Sequence, residues 1–423
     1  MISFIITAVF VLGYIAIAFE HTLGLNKAAA ALITGVLCWT IYMLHSPSTG
    51  LVHEQLMTAL GEIASILFFL MGAMTIVELI DSHNGFDIIT KKITTTSKQQ
   101  LLLIVSAITF FLSALLDNLT TSIVMTSLCA KLLTEKEDRL WFAGMIVIAA
   151  NAGGAWSPLG DVTTTMLWIG GQITAINIMK QLLLPALVAC ALPALIMSLQ
   201  FRGKKLVGTP KNISTTKENR DSNIVLVAGI GFLLFVPVFK TITHLPPFMG
   251  MMLALGLMWL INSIIHKNKP PEYAEKYTVA RALQRIDTPS ILFFLGILLA
   301  VSALQSFGIL NEVATALSTY LKNDYLIGIA LGVLSSVVDN VPLVAASQGM
   351  YDLNTYPTDH PFWEFLALTT GTGGSAIIIG SAAGVAVMGI EQIDFMWYLK
   401  KISWLALTGF AGGISIFLLQ KLL

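Results

Sequence analysis

Long apolar runs alternate with short polar breaks along almost the whole 423-residue chain. A helical run of about twenty residues is long enough to cross a hydrocarbon core of about 30 Å. The pattern predicts ten such crossings, at residues 2–19, 28–44, 61–80, 141–169, 180–200, 224–240, 248–265, 289–307, 362–389 and 402–420. We therefore predict an all-α polytopic membrane protein.

Two further apolar stretches, residues 101–133 and 325–348, are interrupted near the middle by Asp-Asn pairs at 117–118 and 339–340. In the second stretch, the part before the pair would extend only about 21 Å as a helix, at about 1.5 Å per residue, and cannot cross the membrane. We therefore predict two re-entrant hairpins, each of which returns the chain to the side from which it entered.

The same short motifs recur in the same order in the two halves of the chain. The hexamer SILFFL stands at 65–70 and 290–295, Asp-Asn at 117–118 and 339–340, and Gly-Gly at 153–154 and 373–374. Repeated motifs at nearly constant spacing indicate an internal duplication. Each half has five crossings, an odd number, so the second half enters the membrane in the opposite orientation and forms an inverted repeat.

Each predicted repeat contains one hairpin and one broken helix. The repeats comprise residues 1–200 (hairpin 101–133, broken helix 141–169) and 224–423 (hairpin 325–348, broken helix 362–389), joined by a polar cytoplasmic linker at 201–223.

Charged residues are scarce and their net charge is zero. They form 11% of the chain, against about 25% in soluble domains, and Lys+Arg and Asp+Glu are both 24. This composition excludes an ordinary soluble protein and gives no support to nucleic-acid binding. In the predicted topology, twenty of the 24 Lys and Arg residues fall on one side, and the other side has only Lys180, Lys240, Lys322 and Lys421. This asymmetry places the first side in the cytoplasm and both termini outside.

Five acidic side chains fall within the predicted membrane segments. Asp117 and Asp339 stand at the hairpin tips, Asp161 follows the break in the fourth crossing, and Glu62 and Glu78 lie toward the ends of the third. An ionisable residue at membrane depth is costly and is by default a functional candidate. Because no Lys or Arg falls at comparable depth, the predicted ligand is a cation. The hairpin aspartates could instead cap a helix or turn, and the two glutamates could be solvated ends of a span.

The polar side chains beside the aspartates are amides and hydroxyls, which together with carboxylates suit a hard cation. They are Asn118, Thr120, Thr121, Asn151, Ser157, Thr163, Thr164 and Asn340. The three cysteines and seven histidines form no cluster that indicates a transition metal. The histidines fall near loops, where we expect exposed rings rather than pH sensors.

Glycines and a proline interrupt the fourth crossing at residues 151–161 (NAGGAWSPLGD). Such a break frees backbone carbonyls and amides near the membrane midplane, where the ends of half-helices can bind an ion. The corresponding segment of the second half, 370–384, is also rich in glycine and hydroxyl residues. Asp161 aligns there with Ser381, so we expect the second half to be less acidic.

Three motifs carry a resemblance that covers nearly the whole chain: residues 113–121 (SALLDNLTT), 151–164 (NAGGAWSPLGDVTT) and 335–342 (SSVVDNVP). With them the sequence resembles the NhaD-type sodium/proton antiporters of the ion-transporter superfamily. The resemblance implies two inverted repeats with opposed hairpins, a homodimer, and a multi-pass location in the inner membrane of a bacterium. It also implies transport of Na⁺ or Li⁺ and H⁺ without a cofactor or enzymatic activity.

The resemblance further implies which side chains bind the cation. From the first half they are Asp117, Asn118, Asn151, Asp161, Thr163 and Thr164, and from the second half Ser335, Asp339, Asn340 and Ser375. Glu62 matches an acidic position of the family more loosely. Asp117 and Asp161 are the expected sodium carboxylates. Thr372 or Ser381 could take the place of Ser375.

The predicted mechanism is competition between sodium and protons for shared carboxylates, because burial favours the neutral form of an acid. Two other functions remain open. A sodium-coupled carboxylate or arsenite carrier of the same superfamily is disfavoured by Asp161 and by the absence of deep basic residues. An intramembrane aspartyl protease would carry a motif that resembles GxGD, whereas residues 158–161 are Pro-Leu-Gly-Asp and lack the first glycine.

Overall fold

The computed structural model describes residues 2–18, 25–86, 95–206, 220–267, 269–270 and 277–422. Within these ranges the chain forms nineteen α-helices. In chain order they are α1 (Ile2–Ala18), α2 (Lys27–His45), α3 (Thr49–Ser82), α4 (Lys98–Leu116), α5 (Asn118–Leu132), α6 (Lys136–Ala155), α7 (Val162–Ile169), α8 (Ala175–Gln200), α9 (Arg220–Thr243), α10 (Pro247–His266), α11 (Val279–Arg285), α12 (Thr288–Ser306), α13 (Ile309–Leu321), α14 (Asp324–Leu334), α15 (Asn340–Met350), α16 (Pro361–Gly373), α17 (Ala382–Glu391), α18 (Phe395–Lys401) and α19 (Ser403–Leu422).

Eight of the helices in the described ranges are long and apolar enough to cross a membrane, which confirms the polytopic class. They are α2, α3, α4, α8, α9, α10, α12 and α19. Seven of them match predicted crossings. The eighth, α4, comes from the first predicted hairpin stretch. The predicted crossings at 141–169 and 362–389 are each divided into two helices, α6 with α7 and α16 with α17.

The third crossing is longer than the sequence pattern indicated. It was predicted to begin at residue 61, but α3 begins at Thr49 and contains 34 residues. Polar residues in the first part of this helix contact the preceding helix, α2. For example, the Tyr42 hydroxyl donates to Gln55 Oε1 at 2.9 Å.

The helices pack in two groups. One group contains α1, α2, α3, α9, α10, α11 and α12, with α2 lying against α12. The other contains α4 to α8 and α14 to α19, with α8 lying against α19, and α13 contacts helices of both groups. At the crossing of α2 and α12, Gly35 and Gly296 bring the two backbones together, since a Cβ on Gly35 would lie 2.5 Å from the Gly296 carbonyl oxygen.

Four helix interruptions lie in the second group. The chain breaks between α4 and α5, between α6 and α7, between α14 and α15, and between α16 and α17. At Asp117, between α4 and α5, the backbone adopts φ 81°, a conformation that is strained for a residue with a side chain. These interruptions bring helix ends into the interior of the group.

The prediction of exposed histidines is wrong for two of the seven. His83 and His266 are 6% and 7% exposed, because the ends of α3 and α10 meet at Tyr277, whose ring stacks on His266 with centroids 5.4 Å apart. His21 lies outside the described residues, as do residues 207–219 of the predicted linker.

Candidate functional site

The ends of the interrupted helices meet around Asp161. This aspartate is 2% exposed and stands directly before α7. Asn118 begins α5, Asn340 begins α15, and Ser381 precedes α17. Each break therefore contributes a polar residue at a helix N-terminus, where unpaired backbone N–H groups favour negative charge.

Asp161 is held by hydrogen bonds to both of its carboxylate oxygens. Oδ1 accepts from the backbone N–H of Thr163 at 2.9 Å and from its hydroxyl at 2.8 Å. Oδ2 accepts from Asn118 Nδ2 at 2.6 Å, and Asn340 Nδ2 lies 3.3 Å from it. These contacts orient the buried carboxylate through residues from both halves of the chain.

We call the side chains that hydrogen-bond to Asp161 its shell. Asn151 connects this shell to the second half of the chain. Its Oδ1 accepts from Asn118 Nδ2 at 3.0 Å, and its Nδ2 lies 2.9 Å from the hydroxyl oxygens of Ser375 and Ser381. Thr372 instead donates to the Leu368 carbonyl within α16. In the structure, therefore, the two serines flank Asn151, whereas the Thr372 hydroxyl bonds back into its own helix.

Asp117 and Asp339 both cap helices. Asp117 accepts from the Thr120 backbone N–H and hydroxyl, each at 2.8 Å, and Asp339 accepts from the Val341 N–H at 3.2 Å. Asp117 also lines a cavity of about 20 Å³, which has room for about one water molecule. Both residues therefore cap a helix, and each directly precedes an asparagine, Asn118 or Asn340, that contacts Asp161.

Several predicted site residues support the backbone or lie elsewhere. Ser335 donates to the Thr370 carbonyl at 2.7 Å, and Thr164 donates to the Asp161 carbonyl at 2.9 Å. Glu62 is exposed on α3 and forms no hydrogen bond with the site among the described residues. Glu78 forms an ion pair with Arg285 at 3.4 Å, which agrees with the interpretation of a solvated span end.

Sequence reasoning missed two ion pairs at the outer ends of the broken helices. Glu391, at the end of α17, pairs with Arg139 at 3.0 Å. Glu364, near the start of α16, is 1% exposed and pairs with Lys421 at 2.8 Å. Both glutamates could have been found from the sequence, because an acidic residue inside an apolar run or at its end is a candidate for a buried ion pair.

Glycines allow the breaks to pack closely against neighbouring helices. A Cβ on Gly153 would collide with the Phe110 carbonyl, and a Cβ on Gly160 would lie 2.6 Å from the Ser113 carbonyl oxygen. The second half has the same arrangement at the equivalent glycines, Gly373 and Gly380. The close packing brings Asp161 to the ends of α4 and α5.

The chemistry of the cluster is that of a small cation site. Its groups are a carboxylate, hydroxyls and side-chain amides, and the oxygens of all three are ligands that hard cations prefer, although Asn118 and Asn340 here direct their Nδ2 groups at the carboxylate. A polytopic helical protein with such a site buried between broken helices belongs to the class of secondary ion transporters.

The comparisons with known proteins agree with this class. A family model described as "Citrate transporter" matches residues 14–371. The chain is 48% identical to "Sodium/proton antiporter 1" of Arabidopsis thaliana, over 97% of this chain and 71% of that protein. It is 44% identical to "Sodium/proton antiporter 2" of the same plant, over 97% of both chains. It is 30% identical to "Na(+)/H(+) antiporter NhaD" of Vibrio cholerae, over 97% of this chain and 90% of that protein.

The chain therefore belongs to the NhaD-type family of sodium/proton antiporters. The members named above are transporters, not enzymes, so the protease hypothesis is discarded.

Proposed function

We propose that this protein exchanges sodium ions for protons across a membrane, with Asp161 as the shared site. The observation that carries the proposal is the buried Asp161 carboxylate, held by Thr163, Asn118 and Asn340 at the meeting point of helix ends. The names of the matched antiporters support the same exchange.

Competition at one carboxylate couples the two ions. A sodium ion needs several oxygen ligands. The Asp161 carboxylate and the Thr163 hydroxyl supply oxygens directly, and the neighbouring asparagines supply theirs once Asn118 and Asn340 turn their Nδ2 groups away from the carboxylate. A proton on Asp161 removes the negative charge that attracts sodium, so the two ions exclude each other. Burial makes the empty, charged site costly to move through a low-dielectric region. The transporting helices therefore cross when loaded with either ion, and opposite gradients drive exchange.

Asp117 is proposed as a second titrating group beside Asp161. It stands at the preceding break, half-buried and hydrogen-bonded to Thr120. Interacting carboxylates titrate as a pair. We assign Asp339, in the other half, mainly to sodium affinity, together with Asn340 and Ser375.

The citrate named in the matching family's description is an anion, and the site does not favour one. In the described part of the chain, the basic side chains that pair with the broken helices do so at their outer ends, as Arg139 and Lys421 do. An organic anion would instead need cationic side chains or free donors at the centre, where the donors of Asn118, Thr163 and Asn340 bind the Asp161 carboxylate. The cation therefore remains the better substrate.

We propose further that the two halves are inverted repeats joined by the linker 201–223. Equivalent contacts in the two halves support this: Ser113 donates to the Ala150 carbonyl at 2.6 Å, and Ser335 donates to the Thr370 carbonyl at 2.7 Å. Single cysteines at Ser214 and Thr358, in a background without the native cysteines, should react with an impermeant reagent from opposite sides of the membrane. Reaction of both from one side would contradict inversion.

The protein is also proposed to act as a homodimer in the inner membrane of a bacterium, with the Lys- and Arg-rich loops in the cytoplasm and both termini outside. The exposed Glu62 supports a dimer, because a carboxylate on the outer face of an apolar helix is costly in lipid. An interface along α3 would shield it. Glu62 remains a predicted coupling residue.

Purified protein in liposomes tests the exchange directly. A dye inside the vesicles should report proton movement when sodium or lithium is added, with no response to potassium citrate at equal ionic strength. Vesicles with Asp161→Asn serve as the matched control. A citrate-dependent signal without a sodium-dependent one would overturn the proposed function.

A further inference from the structure

The two halves of the chain are tied together at both ends of the broken helices. At one end, Arg139 Nε in the first turn of α6 donates to Glu391 Oε2 at 3.0 Å. The Glu391 side chain is 5% exposed and that of Arg139 is 26% exposed. The pair is therefore largely shielded from water. Solvent and salt screen such an ion pair less than they screen one on an open surface.

At the other end, the contact is a hydrogen-bonded clamp. Asp359, two residues before α16, accepts from the Thr174 backbone N–H at 2.6 Å and from its hydroxyl at 2.8 Å. The Asp359 backbone N–H donates to the Gln172 carbonyl at 2.8 Å. This clamp joins the segment after α7 to the segment before α16.

The two contacts occupy matching places in the two halves. When the two halves are aligned on their Gly-Gly pairs, Asp359 is the equivalent of Arg139, and Gly171 is the equivalent of Glu391. The Gly171 carbonyl also takes part in the clamp, since it accepts from the Thr358 hydroxyl at 2.7 Å. Each contact joins the start of one half's broken helix to the end of the other's. In agreement, α7 packs against α15 and α16, and α17 packs against α5 and α6.

The shell around Asp161 depends on this alignment because it is shared between the halves. Asn118 in the same half lies 2.6 Å from the carboxylate, while Asn340 in the other half lies at 3.3 Å. A relative shift of well under about 1 Å would take the second contact beyond hydrogen-bonding distance. Arg139 stands near the start of α6, about 24 Å along the helix axis from the break, and therefore acts on the site only through the position of the helix.

We propose that the Arg139–Glu391 and Thr174–Asp359 contacts are positioning pairs. They hold Asn340 and Ser381 in register with Asp161 and Asn151 and thereby set the sodium affinity of the site. This inference rests on the proposed function, since it assigns the pairs to the same ion site. A pair that only stabilised the fold would change the amount of folded protein and leave the affinity of each folded molecule unchanged.

Equilibrium binding of ²²Na⁺ to purified protein in detergent measures affinity without transport. Arg139→Gln and Glu391→Gln should each weaken sodium binding, by about two- to thirtyfold, as is typical of mutations that alter coupling from outside a site. The double Gln variant should be no weaker than the worse single variant, and the exchanged pair Arg139→Glu with Glu391→Arg should recover part of the loss.

The matched control is the ion pair of Lys98 with Asp138, at 2.5 Å, which lies within the first half. Lys98→Gln should lower thermal stability and leave sodium affinity within about twofold of wild type, because the pair does not join the halves. Asp359→Ala gives a second variant at the opposite end. It removes both side-chain acceptors of Thr174 and should weaken sodium binding in the same way.

Wild-type sodium affinity in folded Arg139→Gln and Asp359→Ala would overturn the proposal, as would equal losses in Lys98→Gln. These outcomes differ from failure of the proposed function, in which wild-type vesicles would show no sodium-dependent proton movement at all.

Discussion

The breaks before α7 and α17 share a backbone plan and differ in chemistry. In both, the second glycine of a Gly-Gly pair faces the carbonyl before the capping residue: Gly154 faces Gly160, and Gly374 faces Gly380. In the first, Asp161 caps the helix with a carboxylate, while in the second Ser381 accepts from the Gly384 N–H at 3.2 Å. The fold therefore needs the glycines in both halves, whereas the charge is concentrated in the first half.

A second difference between the halves explains how they share the site. Asn151 reaches from α6 to Ser375 and Ser381, both at 2.9 Å. The equivalent position of the second half is Gly371, which has no side chain and packs against Ala155. The first half therefore supplies the Asn151 side chain that bridges the two halves, and the second half has a glycine at the equivalent position.

The largest effect is expected where the halves differ most. Asp161→Asn keeps the size of the side chain and one acceptor oxygen, which Thr163 can still use, but removes the charge, so sodium-dependent proton flux in liposomes should be abolished. The variant should still elute as folded protein in size-exclusion chromatography. Near wild-type flux would exclude Asp161 as the shared site.

Asp117→Asn and Asp339→Asn test the asymmetry between the hairpin breaks. Loss of Asp117 should change sodium affinity and the pH dependence of exchange together, because it removes one of two interacting groups. Loss of Asp339 should mainly raise the sodium concentration needed for half-maximal flux. Flux against sodium concentration at several pH values separates the two effects. The assignment would be wrong if Asp339→Asn showed no exchange at saturating sodium while Asp117→Asn retained pH-dependent exchange.

The glycines should matter equally in both halves. Gly153→Ala and Gly373→Ala place a Cβ against the carbonyls of Phe110 and Gly332. Each should destabilise the protein by about 1–3 kcal/mol, measured as a fall in thermal unfolding temperature in detergent. Gly231→Ala is the control, because a Cβ there has no neighbour within 4 Å. A large loss in only one half would disprove the common backbone plan.

The smallest effect is expected at Ser381, whose partner Asn151 retains Ser375. Ser381→Ala should weaken ²²Na⁺ binding by about two- to tenfold, the effect of one modest hydrogen bond. Proton coupling should be preserved. Complete loss of exchange would instead show that Ser381 is as essential for transport as Asp161.

Much of the fold was readable from the sequence, and the errors share one cause. Apolar runs identified seven crossings, and the glycine-rich segments identified two helix interruptions, because both features act locally on the chain. The start of α3 at Thr49 and the burial of His83 and His266 were missed. In each case polar residues near a helix end contact side chains of another helix or of the segment that follows it, which periodicity does not register.

The sequence by itself determined the membrane class, the family, the positions of the helix breaks and the acidic character of the first half. These follow from hydropathy, from motifs and from the backbone preferences of glycine and proline. Only the tertiary structure decided that Asn340, from the other half of the chain, contacts Asp161, that Asn151 spans the two halves, and that Arg139 meets Glu391. Such contacts depend on how distant helices pack, since close packing and hydrogen-bond geometry, rather than order along the chain, select which side chains meet.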